Sequence, residues 1–289
     1  MTAEGMPEGR SEATGESMRG PLDAEVLRAG VLGGSSGWRR LDVVAETGST
    51  NADLIARANA GEDIDGAVLI AEHQTAGRGR QGRSWLDAPG TQLAMSVGIG
   101  VADVPTERWG WLPLATGVSI VETVARFGGD VALKWPNDVL AQGRKLAGIL
   151  AEVAAVQRAI VVGIGLNVTL RHDEIATPQA ISLSDLGVDV PSRAEVANVL
   201  LGVLGDRVRD WRASGGADSQ LAAKYREACS TLGALVRVEL PGAKHIIGVA
   251  RDVDQQGRLC IDCDGEEVVL AAGDVIHLRP AAPTDRDLG

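Results

Sequence analysis

Aromatic side chains are scarce in this 289-residue chain, which has one Tyr, one Phe and six Trp. Its hydrophobic fraction of 45% still allows a sizeable core, but one built mainly of Ala, Val, Leu and Ile. Stacked aromatic platforms for single-stranded nucleic acid are not expected from such a composition. Positive charge is also in deficit: 28 Lys and Arg stand against 39 Asp and Glu, a formal net charge of −11. A polyanion is repelled on average, so no DNA partner is expected, and any basic site must be local. Cysteine is limited to Cys229, Cys260 and Cys263, too few for a disulfide framework. Cys260-Ile261-Asp262-Cys263 has no second pair to complete a metal site and lies in an alternating run, so it reads as reduced thiols in a β-hairpin. No run approaches the roughly 20 apolar residues that cross a bilayer, and no apolar signal core opens the chain. The expectation is a cytoplasmic protein without a membrane partner. A phosphate loop of the G-x-x-x-x-G-K-[ST] type is missing, and His73, His172, His245 and His277 are scattered, which weakens hydrolase and zinc-enzyme readings.

The pattern that is present divides the chain. Residues 1 to 20 mix Gly, Glu, Ser and Met without apolar periodicity and read as a disordered tail. Pro21 to Ala29 reads as a short helix with Leu22, Val26 and Leu27 as its stripe. The folded body is expected from Trp38, with strands at Leu41–Ala45, Ala67–Glu72 and Leu93–Ile99. A helix opens at Ser49-Thr50-Asn51, one of the first two serving as N-cap, and runs to Asn59. Thr106 to Phe127 has helical spacing and stops at Gly128-Gly129. Val131–Lys134 starts a strand ending at Pro136, with Asn137 and Asp138 in a turn. Lys145–Val153 and Arg158–Leu166 read as a strand hairpin, and Ser192–Trp211 and Ser219–Cys229 as helices. After Leu232, four alternating strands (236–240, 246–253, 258–262 and 266–270), separated by Pro-Gly, Gln-Gly and Asp-Gly turns, predict a small β-barrel.

Four clusters carry candidate chemistry. Gly77-Arg78-Gly79-Arg80-Gln81-Gly82-Arg83 places three Arg and three Gly between apolar strands. Glycines that adopt positive φ can turn backbone N–H groups towards an anion, and the planar guanidinium fork suits carboxylate and phosphate. A basic turn or a nucleic-acid segment is the alternative. Lys134-Trp135-Pro136-Asn137-Asp138 sets a cation beside a carboxylate at a strand end, as Mg²⁺-nucleotide chemistry requires, although Asn and Asp are also ordinary turn residues. Lys145 stands at the mouth of an apolar strand, where a Lys ordinarily reaches for solvent. Gly163-Ile164-Gly165-Leu166-Asn167 lacks the third Gly and the helix of a dinucleotide fingerprint, and Asn167 fits either a ligand contact or an Asx turn.

In this order the clusters resemble those of the biotin protein ligases: a G-R-G-R-x-G-R loop, then K-W-P-N-D, then G-x-K-[LV]-[AG]-G-[IL]-L-x-E at Gly143–Glu152, then G-[IL]-[GN]-x-N, with Ser49-Thr50-Asn51 upstream. The resemblance spans about residues 38 to 280. It implies an α+β fold: a mixed-sheet catalytic domain of the biotin/lipoate ligase type over residues 38–231, and a small SH3-like β-barrel over 232–280. Residues 1–37 form a tail with a short helix, and 281–289 a second tail. Gln81 stands where members of the family often have Arg. Many bacterial members carry an N-terminal DNA-binding module; about 37 Gly-rich, acidic residues are too few for one, so no repressor function is expected.

The resemblance further implies ATP, Mg²⁺ and biotin as cofactor, metal and substrate, with biotinyl-5′-AMP as the intermediate. It implies a biotin carboxyl carrier domain of an acyl-CoA carboxylase as the protein partner, and a monomer is favoured. Ser49, Thr50, Asn51, Gln74, Arg78, Gly79, Arg80 and Lys145 would bind biotin. Arg80, Arg83, Trp85, Lys134, Asn137, Asp138 and Asn167 would bind ATP, Asp138 would hold the metal, and Lys145 and Arg80 would be catalytic. The stretch 171–181 would be a lid on the adenylate side. A lipoate-type ligase and a non-enzymatic nucleic-acid module are the rivals; the K-W-P-N-D string and the C-terminal barrel oppose the first, the charge the second.

Overall fold

A computed structural model describes residues 19–278 except 35, 87, 172, 175–178, 189–191 and 241–243. The predicted tail up to residue 18, the tail 281–289, the Pro-Gly turn at 241–242 and residues 172 and 175–178 of the predicted lid lie outside the described residues. Arg19 and Gly20, assigned to the tail from sequence, are held instead. Arg19 pairs with Glu174, and the Gly20 carbonyl accepts from Arg193 at 2.7 Å.

The first described helix, α1, is Ala24–Val31 rather than 21–29. Asp23 caps it by accepting from the N–H groups of Glu25 and Val26. That start places Leu27 and Val31 on the buried face and leaves Val26 53% exposed, contrary to the expected stripe. The strands are β1 Arg40–Thr47, β2 Ala67–Gln74, β3 Gln92–Gly100, β4 Ala132–Lys134, β5 Asp138–Ala141, β6 Arg144–Ala154 and β7 Ala159–Asn167. They form one mixed sheet in the order β1-β2-β3-β7-β6-β5-β4, in which only β1 and β2 are parallel. Helix α2, Thr50–Asn59, makes the β1-to-β2 crossover that a parallel pair requires. Asp138 opens a strand that the sequence did not mark; β4 and β5 form a hairpin around a cis Trp135–Pro136 bond.

Strand alternation divides the sheet's two faces. Val68, Ile70 and Val162 point into the main core, which also contains residues of α3 (Trp111–Arg126) and α4 (Arg193–Ala213). Ala67, Leu69 and Val161 point the other way, onto Leu54 and Ala58 of α2. In α3 the buried hydroxyls of Thr116, Ser119 and Thr123 each donate to the carbonyl four residues back, which makes them compatible with a dry interface. Residues 106–108 are a separate 3-10 turn, so the helix begins later than its apolar spacing suggests. Arg193, 1% exposed, pairs with Glu72 at 2.7 Å and thereby ties α4 to β2.

Helix α5, Ser219–Ala228, leads to a second, antiparallel sheet of β8 Leu235–Leu240, β9 Lys244–Val253, β10 Leu259–Cys263, β11 Glu266–Leu270 and β12 Asp274–His277, in the order β11-β10-β9-β8-β12. Four of these strands match the predicted runs closely; β12 is additional. Cys260 and Cys263 lie on β10, where burial raises both thiols above their ordinary value, the direction expected of unreactive thiols. The second sheet abuts the first: the indole N–H groups of Trp111 and Trp135 donate to the carbonyls of Gln255 and Gly257 at 3.0 and 3.1 Å.

Candidate active site

On the α2 side, the part of the large sheet that α2 leaves uncovered is the floor of a cleft of about 140 Å³. The floor is flat because Gly148 of β6 lies opposite Gly165 of β7, with Gly163 two residues away. Those positions have no room for a Cβ. At Gly165 it would meet a ring carbon of Trp85 at 2.3 Å, and at Gly163 the Asn51 Oδ1 at 2.3 Å. The glycines that looked like half a nucleotide fingerprint are a platform for the Trp85 indole and the Asn51 amide.

The Gly77–Arg83 loop is a small hairpin. Arg78 bridges Ser84, the Gly79 N–H donates to Arg83 O at 2.7 Å, and the Trp85 N–H to Gly77 O at 2.9 Å. Gln81 (φ 56°) and Gly82 (φ 73°) form its two-residue turn, closed by the Arg83 N–H on Arg80 O at 3.1 Å. Of the three glycines, only Gly82 takes the positive φ that glycine permits. Gly79 is extended (φ −115°, ψ −179°), and its N–H is used within the hairpin rather than offered to an anion. Gly77 is there for close approach, since a Cβ would lie 2.6 Å from Trp85 O. An anion at this loop would meet side chains rather than the Gly79 N–H.

Each cation in the cleft rests on an acceptor. Arg78 pairs with Glu152 and Arg83 with Asp274 of the second sheet. Arg80 donates to Asn137 Oδ1 at 3.1 Å, and Lys145 Nζ lies 2.6 Å from Asp138 Oδ1 and 5.6 Å from the Trp85 ring centroid. Burial lowers the Arg80 guanidinium from its usual value, against the pull of Asp274 and Asp138, while Arg83 pushes it further down; guanidinium remains charged regardless. An incoming anion would find four positive groups within one cleft, each already holding an acceptor.

At the opposite end the cleft is polar and closed. Ser49 takes the N-cap position of α2, but its hydroxyl makes no capping bond. Gln74 Oε1, from the end of β2, accepts the Thr50 N–H at 2.9 Å instead. Thr50, Ser96 and Asn51 continue this network into the sheet.

Of the residues singled out from sequence, Ser49, Thr50, Asn51, Gln74, Arg78, Gly79, Arg80, Arg83, Trp85, Asn137, Asp138 and Lys145 line this one cleft. Two do not. Asn167 is 2% exposed, and its Nδ2 donates to the carbonyls of Lys145 and Ile181 at 3.3 and 2.9 Å. Its geometry is that of a clamp holding the Lys145 strand. Lys134 lies near His277 at the junction with the second sheet, where its charge is felt by that imidazole. Met95, Ser96, Glu152 and Asp274 belong to the site region and were not anticipated. Asp274 reaches the cleft only because β12 packs beside the loop, which no local pattern records.

Among the described residues no cluster of three or more His, Cys, Asp or Glu could cage a metal. Asp138 is therefore one carboxylate beside cations, a donor set that suits Mg²⁺ arriving on phosphates rather than held by the protein alone.

Residues 45–168 match the biotin/lipoate A/B protein ligase family, and residues 231–278 the biotin protein ligase C terminal domain. The biotin--[acetyl-CoA-carboxylase] ligase of Mycobacterium tuberculosis is 55% identical over 268 residues, covering 91% of this chain and 98% of that protein. The bifunctional ligase/repressor BirA of Escherichia coli is 32% identical over 251 residues, 85% of this chain and 76% of that protein. Among solved structures, the biotin protein ligase from Aquifex aeolicus in complex with biotin and ATP superposes with a TM-score of 0.71 at 27% identity, covering 84% of this chain and 100% of that one. With its glycine-floored cleft, arginine hairpin and second antiparallel sheet, the chain belongs to the biotin protein ligase family.

Proposed function

We propose that this protein condenses biotin with ATP to biotinyl-5′-AMP and pyrophosphate, then passes the biotinyl group to a lysine of a biotin carboxyl carrier domain of an acyl-CoA carboxylase. The observation that carries the reading is the convergence of Arg78, Arg80, Arg83 and Lys145 on one flat, partly apolar cleft closed by Thr50 and Gln74. The name of the 55%-identical relative supports a carboxylase as acceptor. We further propose that residues 38–231 form the catalytic unit and 232–280 the C-terminal one, in a cytoplasmic protein acting as a monomer.

The electrostatic requirement is concrete. A carboxylate approaching an α-phosphate brings two anions together; at 4 Å and an effective dielectric of 20 they repel by about 4 kcal/mol, or about three decades of rate. Lys145 and Arg80 flank the place where those anions meet and offset that repulsion. Arg83 and Asn137 serve the triphosphate, and Asp138 would hold Mg²⁺, whose charge would help neutralise it; Lys134, outside the cleft lining, is not assigned to it. Ser49, Thr50, Asn51 and Gln74 take the ureido ring. Arg78 and Gly79 cover the biotin and Trp85 borders the nucleotide, limiting access of water to the labile anhydride. Asn167 acts from outside the cleft by fixing the Lys145 backbone.

Purified protein with ATP-Mg²⁺ and biotin, lipoate or octanoate is the test. Pyrophosphate release with biotin alone, followed by label transfer to a carrier domain, is expected; release with lipoate or octanoate instead would replace this reading with the lipoate-type one. With a net charge of −11, no operator binding is expected, and a gel-shift with operator DNA checks this.

A further inference from the structure

Glu152 stands just outside the cleft, at the end of β6 where the floor meets the arginine hairpin, and uses its two oxygens on different partners. Oε2 accepts from Asn51 Nδ2 at 2.9 Å, and Oε1 accepts from Arg78. The Asn51 amide also donates to Leu150 O at 3.1 Å. Both groups facing Nδ2 are acceptors only, so the amide has one orientation, with Oδ1 turned towards Ser96. Ser96 donates its only proton to that Oδ1 at 2.6 Å. At the 2.7 Å contact between the Ser96 and Thr50 hydroxyls, Ser96 has no proton left to give and can only accept from Thr50. The Thr50 hydroxyl also reaches Gln74 Oε1 at 3.1 Å, so its single proton is taken by Ser96 Oγ or by that oxygen, which accepts the Thr50 backbone N–H at 2.9 Å as well. An anion at position 152 and a carbonyl at 150 set the direction of the chain as far as Ser96, and the Thr50 proton is spent on Ser96 or Gln74 in either case. Where Thr50 borders the cleft it shows lone pairs and no proton.

We propose that Glu152 is a positioning residue that fixes the hydrogen-bond polarity of the cleft floor and couples it to the hairpin through Arg78, so that the closed end selects a ligand presenting N–H donors. The inference rests on the biotin reading above, whose ureido ring carries two such donors. Only a carboxylate satisfies both partners. A Gln at 152 either turns its amide N–H₂ against Asn51 Nδ2 or turns it against the Arg78 guanidinium. One of the two contacts is lost whichever way it faces.

The test compares Glu152→Gln, Glu152→Asp and Ser96→Ala with wild type in the adenylation assay, with thermal melts as the fold control. Glu152→Gln is expected to raise KM for biotin about tenfold, the effect of one hydrogen bond to a charged group, while KM for ATP stays within about twofold. Glu152→Asp, which keeps the charge, should recover part of the loss. Wild type should also discriminate against a biotin analogue with one ring N–H replaced by oxygen, and Glu152→Gln should discriminate less. Equal rises in both KM values, or an unchanged biotin KM in a folded variant, overturn the proposal. If Glu152→Gln does not fold, Ser96→Ala decides: it cuts the relay without touching Arg78, and an unchanged biotin KM again overturns it. A wild-type enzyme that makes no biotinyl-5′-AMP would refute the ligase reading instead, a separate outcome.

Discussion

Lys145 shows how little one residue's chemistry says without its neighbours. On an apolar strand it looks like a side chain reaching for water. In the fold it lies 2.6 Å from Asp138 and over Trp85, facing the arginine hairpin. The ion pair is about a third exposed on the lysine side, so it stabilises the fold by only about 0–1 kcal/mol. A preorganised positive group at a developing charge is worth more, about two to three decades in turnover. Lys145→Ala should therefore lower pyrophosphate release by about a hundredfold or more and leave the melting temperature within a few degrees. Near-normal adenylate formation by the folded variant would remove Lys145 from the mechanism.

At the scale of elements, the glycines of β6 and β7 matter more than any polar residue. A strand with Gly at alternate positions loses side-chain packing, a cost that persists where something must approach the backbone closely. Here Trp85 and Asn51 make that approach. Gly165→Ala would drive a methyl into the Trp85 ring. Trp85 belongs to a partly exposed loop and can yield, so stability should fall by no more than about 1–3 kcal/mol. Biotin affinity should fall more clearly, by about tenfold, because the displaced ring narrows the cleft; titration calorimetry paired with a melting curve separates the two effects. Binding as tight as wild type would show that the platform is not part of the ligand site. The hairpin makes a related point about elements. Its sequence was legible as an anion loop, but its Gly79 amide is consumed internally, because the Gln81-Gly82 turn pairs the two arms.

At the scale of the whole molecule, the two sheets meet through a titratable contact. The Thr231 hydroxyl accepts the backbone N–H of Trp135 at 3.1 Å and lies 3.0 Å from His277 Nε2. Burial lowers the His277 pKa, and the Lys134 charge lowers it further. The unfolded chain therefore binds this proton more readily than the fold does. The stabilisation is present above about pH 6.5 and is lost as pH falls through that value towards the depressed folded one. Burial opposes the lowering at Glu122, Glu174 and Asp254, but their arginine and lysine partners outweigh it, so they lose stabilisation only as pH falls through the carboxylate range. Between about pH 7.5 and 5.5 the melting temperature of wild type should fall, and that of His277→Gln should fall less. An identical decrease in both would mean that His277 does not link the sheets to pH.

The sequence by itself determined the elements and the chemistry. Alternation and turn residues located β6, β7 and four of the five C-terminal strands, because period and turn conformation are local properties. The ordered motifs identified the family. Tertiary structure decided which charges share a cleft, which do not, and what each rests on. Asp274 enters from a strand with no marked motif, Lys134 does not line the cleft and its charge is felt at His277, and Asn167 clamps a backbone. Burial, register and the direction of a hydrogen bond are set by groups far apart in the chain. Glu152 closes the Gly143–Glu152 motif in the sequence, but that it orients Asn51, 101 residues away, is visible only in the fold.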